Sequence, residues 1–410
     1  MKFQAGRLSP GVTQFMLMHS DNSHAIDPGD FKSVVIIAGE ASADLHGANL
    51  VTAMKRLNPE VIFSGIGGKR MEQAGVEILF TASDMAVMGL TEVLSKLHVI
   101  YQASKAIKSL LKNERPDLLI LMDYPDFNIH IARTAKRQGI PVLYYIGPQI
   151  WAWRGGRIKK IARRVDRMAV ILPFEKDYYR QTSLTVDYVG HPLLDECPRA
   201  MDKNRIAHKM GIGRSHPVVG LLPGSRKEEI RNLLPAMAGA SEMLAKRYPD
   251  LRCILPLAPD IEASFVQGFL GDSNQEIQLF QGNIYEVLSI CDLVLVASGT
   301  ATLETGIMGV PMVIIYKISS FSYWLGKMII HVPHIGIVNL IGGEEVVPEL
   351  IQDEVTADRL AMEALAILED TEVRENMIRK LRLLKEKLGK GGVSDRTARI
   401  AMEMMGGRNV

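Results

Sequence analysis

The sequence predicts an α/β protein of two doubly wound domains facing a central cleft, and three features predict it. The chain has 410 residues, too many for one ordinary core. From residue 33 onward, continuous apolar runs suited to buried strands alternate with amphipathic helical segments. Near residue 218 the layout starts again with a strand, a Gly turn and a helix start. Apolar strands separated by helices indicate parallel sheets covered on both faces.

The first run, SVVIIA at 33–38, leads into the turn GEASAD at 39–44 and a helix over 45–57. Further strands read at 61–64, 117–122, 142–146, 168–172 and 186–189. In the second half they are VVGLL at 218–222, CILPL at 253–257, IQLF at 277–280, LVLVA at 293–297 and MVIIY at 312–316. The halves share layout rather than residue identity, which supports two Rossmann-like domains more than a duplication. The expected division is a loose extension over 1–32, an N-terminal domain over 33–205, a C-terminal domain over 206–355 and a charged helical tail over 356–410. The halves join near 190–216, where GHP and GIGRSHP break the pattern. The tail is long enough to pack back on the N-terminal domain or against a partner chain, which leaves a homodimer open. In such folds ligands lie at the carboxyl ends of the strands, here in the cleft between the sheets.

Composition narrows the function classes. With 47% hydrophobic and 23% charged residues and a net charge of +2, the chain lacks the basic surplus of a general nucleic-acid binder. Cys197, Cys253 and Cys291 stand far apart and fit no paired or metal-ligand spacing, so a reducing compartment is expected. The first 32 residues start positively but carry no signal-like apolar run, and no segment reaches the roughly 18 apolar residues of a membrane span. A cytoplasmic protein that can still lie on a membrane is the expectation.

Two turns in the second half suit an anionic ligand. LPGSR at 222–226 places Gly224, Ser225 and Arg226 at a helix start, where free N–H groups and the helix dipole attract anions. Arg226 adds a bidentate grip on phosphate; a plain Ser-capped turn is the bland reading. ASGTATLE at 297–304 is a second such turn, with Ser298, Gly299 and Thr300 as donors for a diphosphate. Glu304, a turn further on, has two acceptor oxygens for the vicinal hydroxyls of a ribose. Neither turn fits the dinucleotide fingerprint or the P-loop, which favours a nucleotide diphosphate donor over a dehydrogenase or NTPase.

The first half supplies acids at strand ends. Ser42 and Asp44 in GEASAD are explained by helix capping, but Glu40 is not. In LLILMDYPDFN at 118–128 an apolar run ends in Asp123 and Asp126 around Pro125. Pro125 disfavours helix at Tyr124 and stiffens the turn. Asp126 is expected to be the base, with Asp123 and Asn128 orienting it or the acceptor; if the two acids lie close, one becomes more basic. A capped polar loop is the alternative. No metal set accompanies these acids, and none is expected to be needed.

Together GEASAD, MGLTEVL at 88–94, DYPDFN at 123–128, GPQIWAWR at 147–154, LPFEK at 172–176, VGHP at 189–192, LPGSR, ASGTATLE and NLIGGEEVVPEL at 339–350 resemble the lipid-A-disaccharide synthase family. The resemblance implies a GT-B fold and an inverting, metal-independent glycosyl transfer without a cofactor. UDP-2,3-diacylglucosamine would be the donor and 2,3-diacylglucosamine 1-phosphate the acceptor, giving the β-1,6-linked lipid A disaccharide 1-phosphate and UDP. The family's catalytic Asp falls on Asp126, its N-terminal acid on Glu40, its phosphate-binding Arg on Arg226, its ribose-binding Glu on Glu304 and a donor-site Asn on Asn339. Two positions depart from its pattern: Ala43 stands for a usual Gly, and Glu344 for a common Arg.

Acylated substrates call for an apolar landing surface. Val87, Met88, Leu90, Leu94 and Leu97 can make one helix face, while Arg154 and Arg157 beside Trp151 and Trp153 suit an anionic membrane or a phosphorylated acceptor. The bland readings are a core helix and a solvated basic one. A peripheral position on the inner face of the cytoplasmic membrane follows from the resemblance. The rival enzymes are a UDP-GlcNAc 2-epimerase and a muramyl-lipid GlcNAc transferase. A non-catalytic nucleotide-sugar sensor is the rival of another class, and the intact DYPDFN loop counts against it. His191 of GHP reads as structural, with a diphosphate contact on domain closure as the alternative.

Overall fold

In a computed structural model of the chain, the described residues are 31–85, 90–148, 157–198, 200–213, 217–270, 276–318 and 334–406, with the side chains of 41 and 90–96 outside the description. Two wholly parallel sheets organise them. The first contains β1 (Ser33–Ala38), β2 (Ile62–Gly67), β3 (Val76–Thr81), β4 (Leu118–Met122), β5 (Val142–Tyr145), β6 (Arg167–Val170) and β7 (Thr185–Tyr188), in the order 3-2-1-4-5-6-7. The second contains β8 (Val218–Leu222), β9 (Arg252–Pro256), β10 (Ile277–Phe280), β11 (Leu293–Ala297), β12 (Met312–Tyr316) and β13 (Glu349–Ile351), in the order 10-9-8-11-12-13. Each order reverses once, between β1 and β4 in the first sheet and between β8 and β11 in the second. A reversal opens a crevice at the carboxyl ends of its two strands.

The longer helices are α1 (Ala41–Leu57), α2 (Leu90–Asn113), α3 (Pro125–Arg137), α4 (Lys227–Arg247), α5 (Thr300–Met308), α6 (Ala357–Glu369), α7 (Thr371–Lys387) and α8 (Val393–Gly406). Central strands such as β4, β8 and β11 are buried along their whole length, which is why they read as unbroken apolar runs. One apolar cluster lies on each face of the first sheet, and one large cluster surrounds the second.

The tail divides between the two. α6 packs on α4 and α7 on α5, so both share the core of the second sheet. α8 instead crosses back onto α1, placing Val393, Ala398, Ile400, Ala401 and Met405 in the core of the first. Asp195 fixes the crossing by accepting from the amides of Gly392, Val393 (2.9 Å) and Ser394 (3.3 Å) at the start of α8. Beside it the His191 amide donates to the Leu388 carbonyl at 3.0 Å, so two chain segments run together between the sheets.

Candidate active site

At the first crevice, Glu40 follows β1 and Asp123 follows β4, strands whose ends pair as Ala38 with Met122. Asp123 and Tyr124 both take positive φ, 48° and 41°, a left-handed pair that costs about 1–3 kcal/mol per residue for non-Gly types. The turn is held by buried groups. Tyr144 Oη donates to the Asp123 carbonyl at 2.5 Å, and Asn128 Nδ2 donates to the carbonyls of Asp123 (2.7 Å) and Met122 (3.0 Å). The Tyr124 ring lies against Gly39, where a Cβ would come within 2.7 Å of its Cβ and Cγ. The small residues of the first turn therefore admit a neighbouring loop.

The two aspartates end up in different surroundings. Asp123 is largely buried, and its carboxyl rises from the usual 3.8 to about 6, first through burial and then through the charge of Glu40, with the Tyr124 N–H pulling the other way. Asp126 is exposed at the first turn of α3, its Oδ1 paired with Arg157 Nη2 at 2.6 Å. The like charge felt by Asp123 is thus that of Glu40, from the neighbouring strand end. Asp44 is buried and caps the helix Lys69–Gln73, accepting from the amides of Gly68 (2.7 Å), Arg70 (3.2 Å) and Met71 (3.1 Å).

The second crevice carries the two anion-suited turns. Gly224 (φ 112°), Ser225 and Arg226 follow β8, while Ser298, Gly299 and Thr300 follow β11. Gly299 and Thr300 are exposed at the start of α5, and a Cβ on Gly299 would meet only open space. The Ser298 amide is used by the sheet, donating to Ile315 at 2.8 Å. In the other turn Glu229 Oε2 accepts from the amides of Ser225 (3.0 Å) and Arg226 (3.2 Å), and its Oε1 lies 3.3 Å from Arg226 Nη1. An internal carboxylate thus sits where an anion would bind, leaving the exposed Arg226 guanidinium on the solvent side.

Glu304 lies inside α5 and accepts from Tyr285 Oη at 3.0 Å. Burial pushes its carboxyl up, the Tyr285 bond draws it down, and Glu196 adds to the rise. Asn339 is fully buried, with every amide position in use. Nδ2 donates to Val347 O (2.8 Å) and Glu349 Oε1 (2.7 Å), and Oδ1 accepts from the amides of Val346 (2.7 Å) and Val347 (3.0 Å). It braces the loop before β13 and has no side-chain capacity left for a ligand.

A family model described as lipid-A-disaccharide synthetase matches residues 34–402. The lipid-A-disaccharide synthase of Geobacter metallireducens is 49% identical over 375 residues, covering 92% of this chain and 98% of that protein. The chain belongs to the lipid-A-disaccharide synthase family. The enzyme of that name from Geobacter sulfurreducens is 48% identical over 373 residues, 91% of this chain and 97% of its own. Among solved structures, UDP-GlcNAc 2-epimerase from Neisseria meningitidis bound to UDP-GlcNAc superposes with a TM-score of 0.63 at 12% identity, covering 90% of this chain and all of that one (100%). The glycotransferase of kitacinnamycin gives 0.62 at 16% identity, covering 91% and 99%. At such identities these two bear on the fold alone, the GT-B arrangement of two parallel α/β sheets.

Both departures from the family's sequence pattern have local explanations. The Ala43 methyl is buried in the core of the first sheet rather than in the crevice. Glu344 is held by Lys380 of α7 at 2.6 Å, which lowers its carboxyl. Of the expected landing surface, Leu97 is 49% exposed on α2 with Tyr101 one turn on at 67%. Val87, Met88, Arg154, Trp151 and Trp153 lie outside the described residues, as do the side chains of Leu90 and Leu94. Among the described residues no helix is long and apolar enough to cross a membrane. Sequence reasoning missed Tyr285, which holds Glu304 from the helix Ile284–Ile290. An isolated Tyr or Glu between unremarkable helices carries no signal until the fold gathers the groups together.

Proposed function

We propose that this member of the lipid-A-disaccharide synthase family joins UDP-2,3-diacylglucosamine to 2,3-diacylglucosamine 1-phosphate with inversion, forming the β-1,6 linkage and releasing UDP. The observation that carries the mechanism is the pairing of acid and base functions with the two crevices: Glu40 and Asp123 at one, the anion-suited turns at the other. In this reading residues 33–205 hold the acceptor and 206–355 the donor.

Asp123 is the better placed of the two aspartates to act as base. It is sheltered, it is raised to about 6, and it is still mostly ionised near neutrality. It takes the proton of the acceptor 6-hydroxyl as that oxygen bonds to C1 of the donor sugar, and the C1–O bond to UDP breaks on the opposite face. Glu40 keeps the base strong through its like charge. Asp126, tied to Arg157, borders the acceptor side, where Arg157 can meet the 1-phosphate. On the donor side Arg226 and the amide end of α5 neutralise the departing diphosphate, and Glu304 takes the ribose hydroxyls. With these charges in place the transfer needs no metal. The acyl chains of both substrates rest on the face of α2 that includes Leu97 and Tyr101, with the protein lying on the inner surface of the cytoplasmic membrane.

The deciding experiment measures UDP release from the acylated donor, with and without acceptor and with EDTA present. Asp123→Asn is expected to lose about 10²–10⁴-fold in kcat, and Asp126→Asn much less, mainly through the KM for acceptor. The reverse ranking would return the base role to Asp126. Acceptor-independent release, or none, would remove the transferase mechanism.

A further inference from the structure

Among the described residues five other than glycine take positive φ, and three of the five meet at one place. Asp123 (48°) and Tyr124 (41°) follow β4, and Ile146 (59°) follows β5, the strand paired with it. A β-branched residue in that region is an outlier, and such backbone persists only where its surroundings hold it. Here the two strained segments hold each other. The Asp123 amide donates to the Ile146 carbonyl at 3.2 Å, and the Ile146 amide donates to the Ala169 carbonyl of β6, also at 3.2 Å. The Asp123 carbonyl accepts from Tyr144 Oη at 2.5 Å and from Asn128 Nδ2 at 2.7 Å, which uses both its lone pairs. Both main-chain groups of Asp123 are thus tied to the end of β5, with α3 adding one bond.

We propose that Tyr144 is a positioning residue for the transfer: with Asn128 and the Ile146 carbonyl it pins the main chain of Asp123, so that the carboxylate stays in the crevice, aimed at the acceptor hydroxyl. The proposal rests on the assignment of Asp123 as the base. Tyr144 is fully buried beneath the turn and is closed off from substrate. Its ring fills the core on one face of the first sheet, and a Phe ring would fill that space as well. What the hydroxyl adds is a donor at the strained turn. Without it one side-chain donor remains on the Asp123 carbonyl, and the left-handed pair is free to relax toward ordinary backbone. The carboxylate moves with its Cα, and a displacement of about 1 Å is enough to spoil a proton transfer. The charged groups that face this spot are Glu40, at the end of β1, and the pair of Arg157 with Asp126 at the start of α3. Tyr144→Phe leaves all of them in place, so it tests the aim of the acid rather than its charged neighbours.

The test is a double-mutant cycle between Tyr144→Phe and Asp123→Asn in the full-length chain. UDP release from the acylated donor in the presence of acceptor is followed across the acid side of the pH profile. Tyr144→Phe is expected to lower kcat about 10–100-fold with little change in either KM. It should also move the acid midpoint of kcat down by about 0.5–1 pH unit, because a carboxylate let out toward water ionises more readily. In the Asp123→Asn background the same change should cost less than about 2-fold, since no base is left to aim. A tyrosine that only supports the fold would lower both backgrounds alike and leave the midpoint in place, and that result overturns the proposal. Should Tyr144→Phe not fold, Asn128→Ser, which withdraws the other side-chain donor from the same carbonyl, enters the cycle with the same expected signs. If Asp123→Asn alone keeps its kcat, the base assignment itself fails, a separate outcome that removes the proposal with it.

Discussion

Asp123 is held in a site that disfavours its charge. Its folded-state value, about 6, lies above the 3.8 of an open chain, so the folded protein is stabilised by protonation, and that gain is lost as pH rises through 6. Asp123→Asn is therefore expected to be more stable than the unaltered chain at pH 8, by on the order of 2 kcal/mol, with the difference vanishing below about pH 4. Denaturant midpoints at the two pH values would check this; a less stable variant at pH 8 would mean that the carboxylate is a stabilising partner. The sequence made both acids of DYPDFN legible, because an apolar strand that ends in carboxylates is chemically unusual. It could not rank them. Which acid is sheltered depends on two consecutive left-handed residues and on the buried Tyr144 and Asn128 that hold them. The same limit applies to Asn339, whose position suggests a ligand contact but whose amide is used up inside the loop.

At the scale of elements, the interior strands were readable for a simple reason: a parallel strand covered on both faces is apolar at every position. The edges were not. In β3 only Val76 is fully buried and Glu77 interrupts the apolar residues, while β13 has only three residues, so neither forms an unbroken apolar run. The destination of the tail was likewise hidden, since amphipathic helices such as α6, α7 and α8 declare an apolar face but not its partner. What directs α8 is Asp195, some 200 residues earlier, whose carboxylate accepts from three amides at its start. Asp195→Ala should cost about 1–3 kcal/mol and free α8 first. Limited proteolysis that cuts near residue 391 in the variant, before the second sheet is touched, would check it.

For the molecule as a whole, the two segments that run together between the sheets bury a neutral histidine. His191 accepts from the Leu193 amide through Nδ1 at 3.3 Å, and burial, then His46, holds its imidazole at about 3 instead of 6.5. The unfolded chain takes up a proton below 6.5 that the folded one refuses, so this contribution is full above pH 6.5 and drains away as pH falls toward 3. His191→Asn, which keeps an acceptor for Leu193, should flatten that acid limb by up to about 1.4 kcal/mol per pH unit. Stability measured at half-unit steps between pH 4 and 7 would reveal the change; parallel curves would place the acid sensitivity elsewhere.

The return of α8 to α1 also orders events during synthesis. Val34, Val51 and Met54 share their cluster with Val393, Ala398 and Ala401, which are made about 340 residues later (393 − 54 = 339). At about 5–20 residues per second, the groove on α1 waits roughly 17–70 s for the helix that fills it. The second sheet, whose partners are all near it in the chain, is expected to be whole first. The half that is translated earlier is thus the half that matures later, and its bare groove is where a chaperone would find purchase on the nascent enzyme.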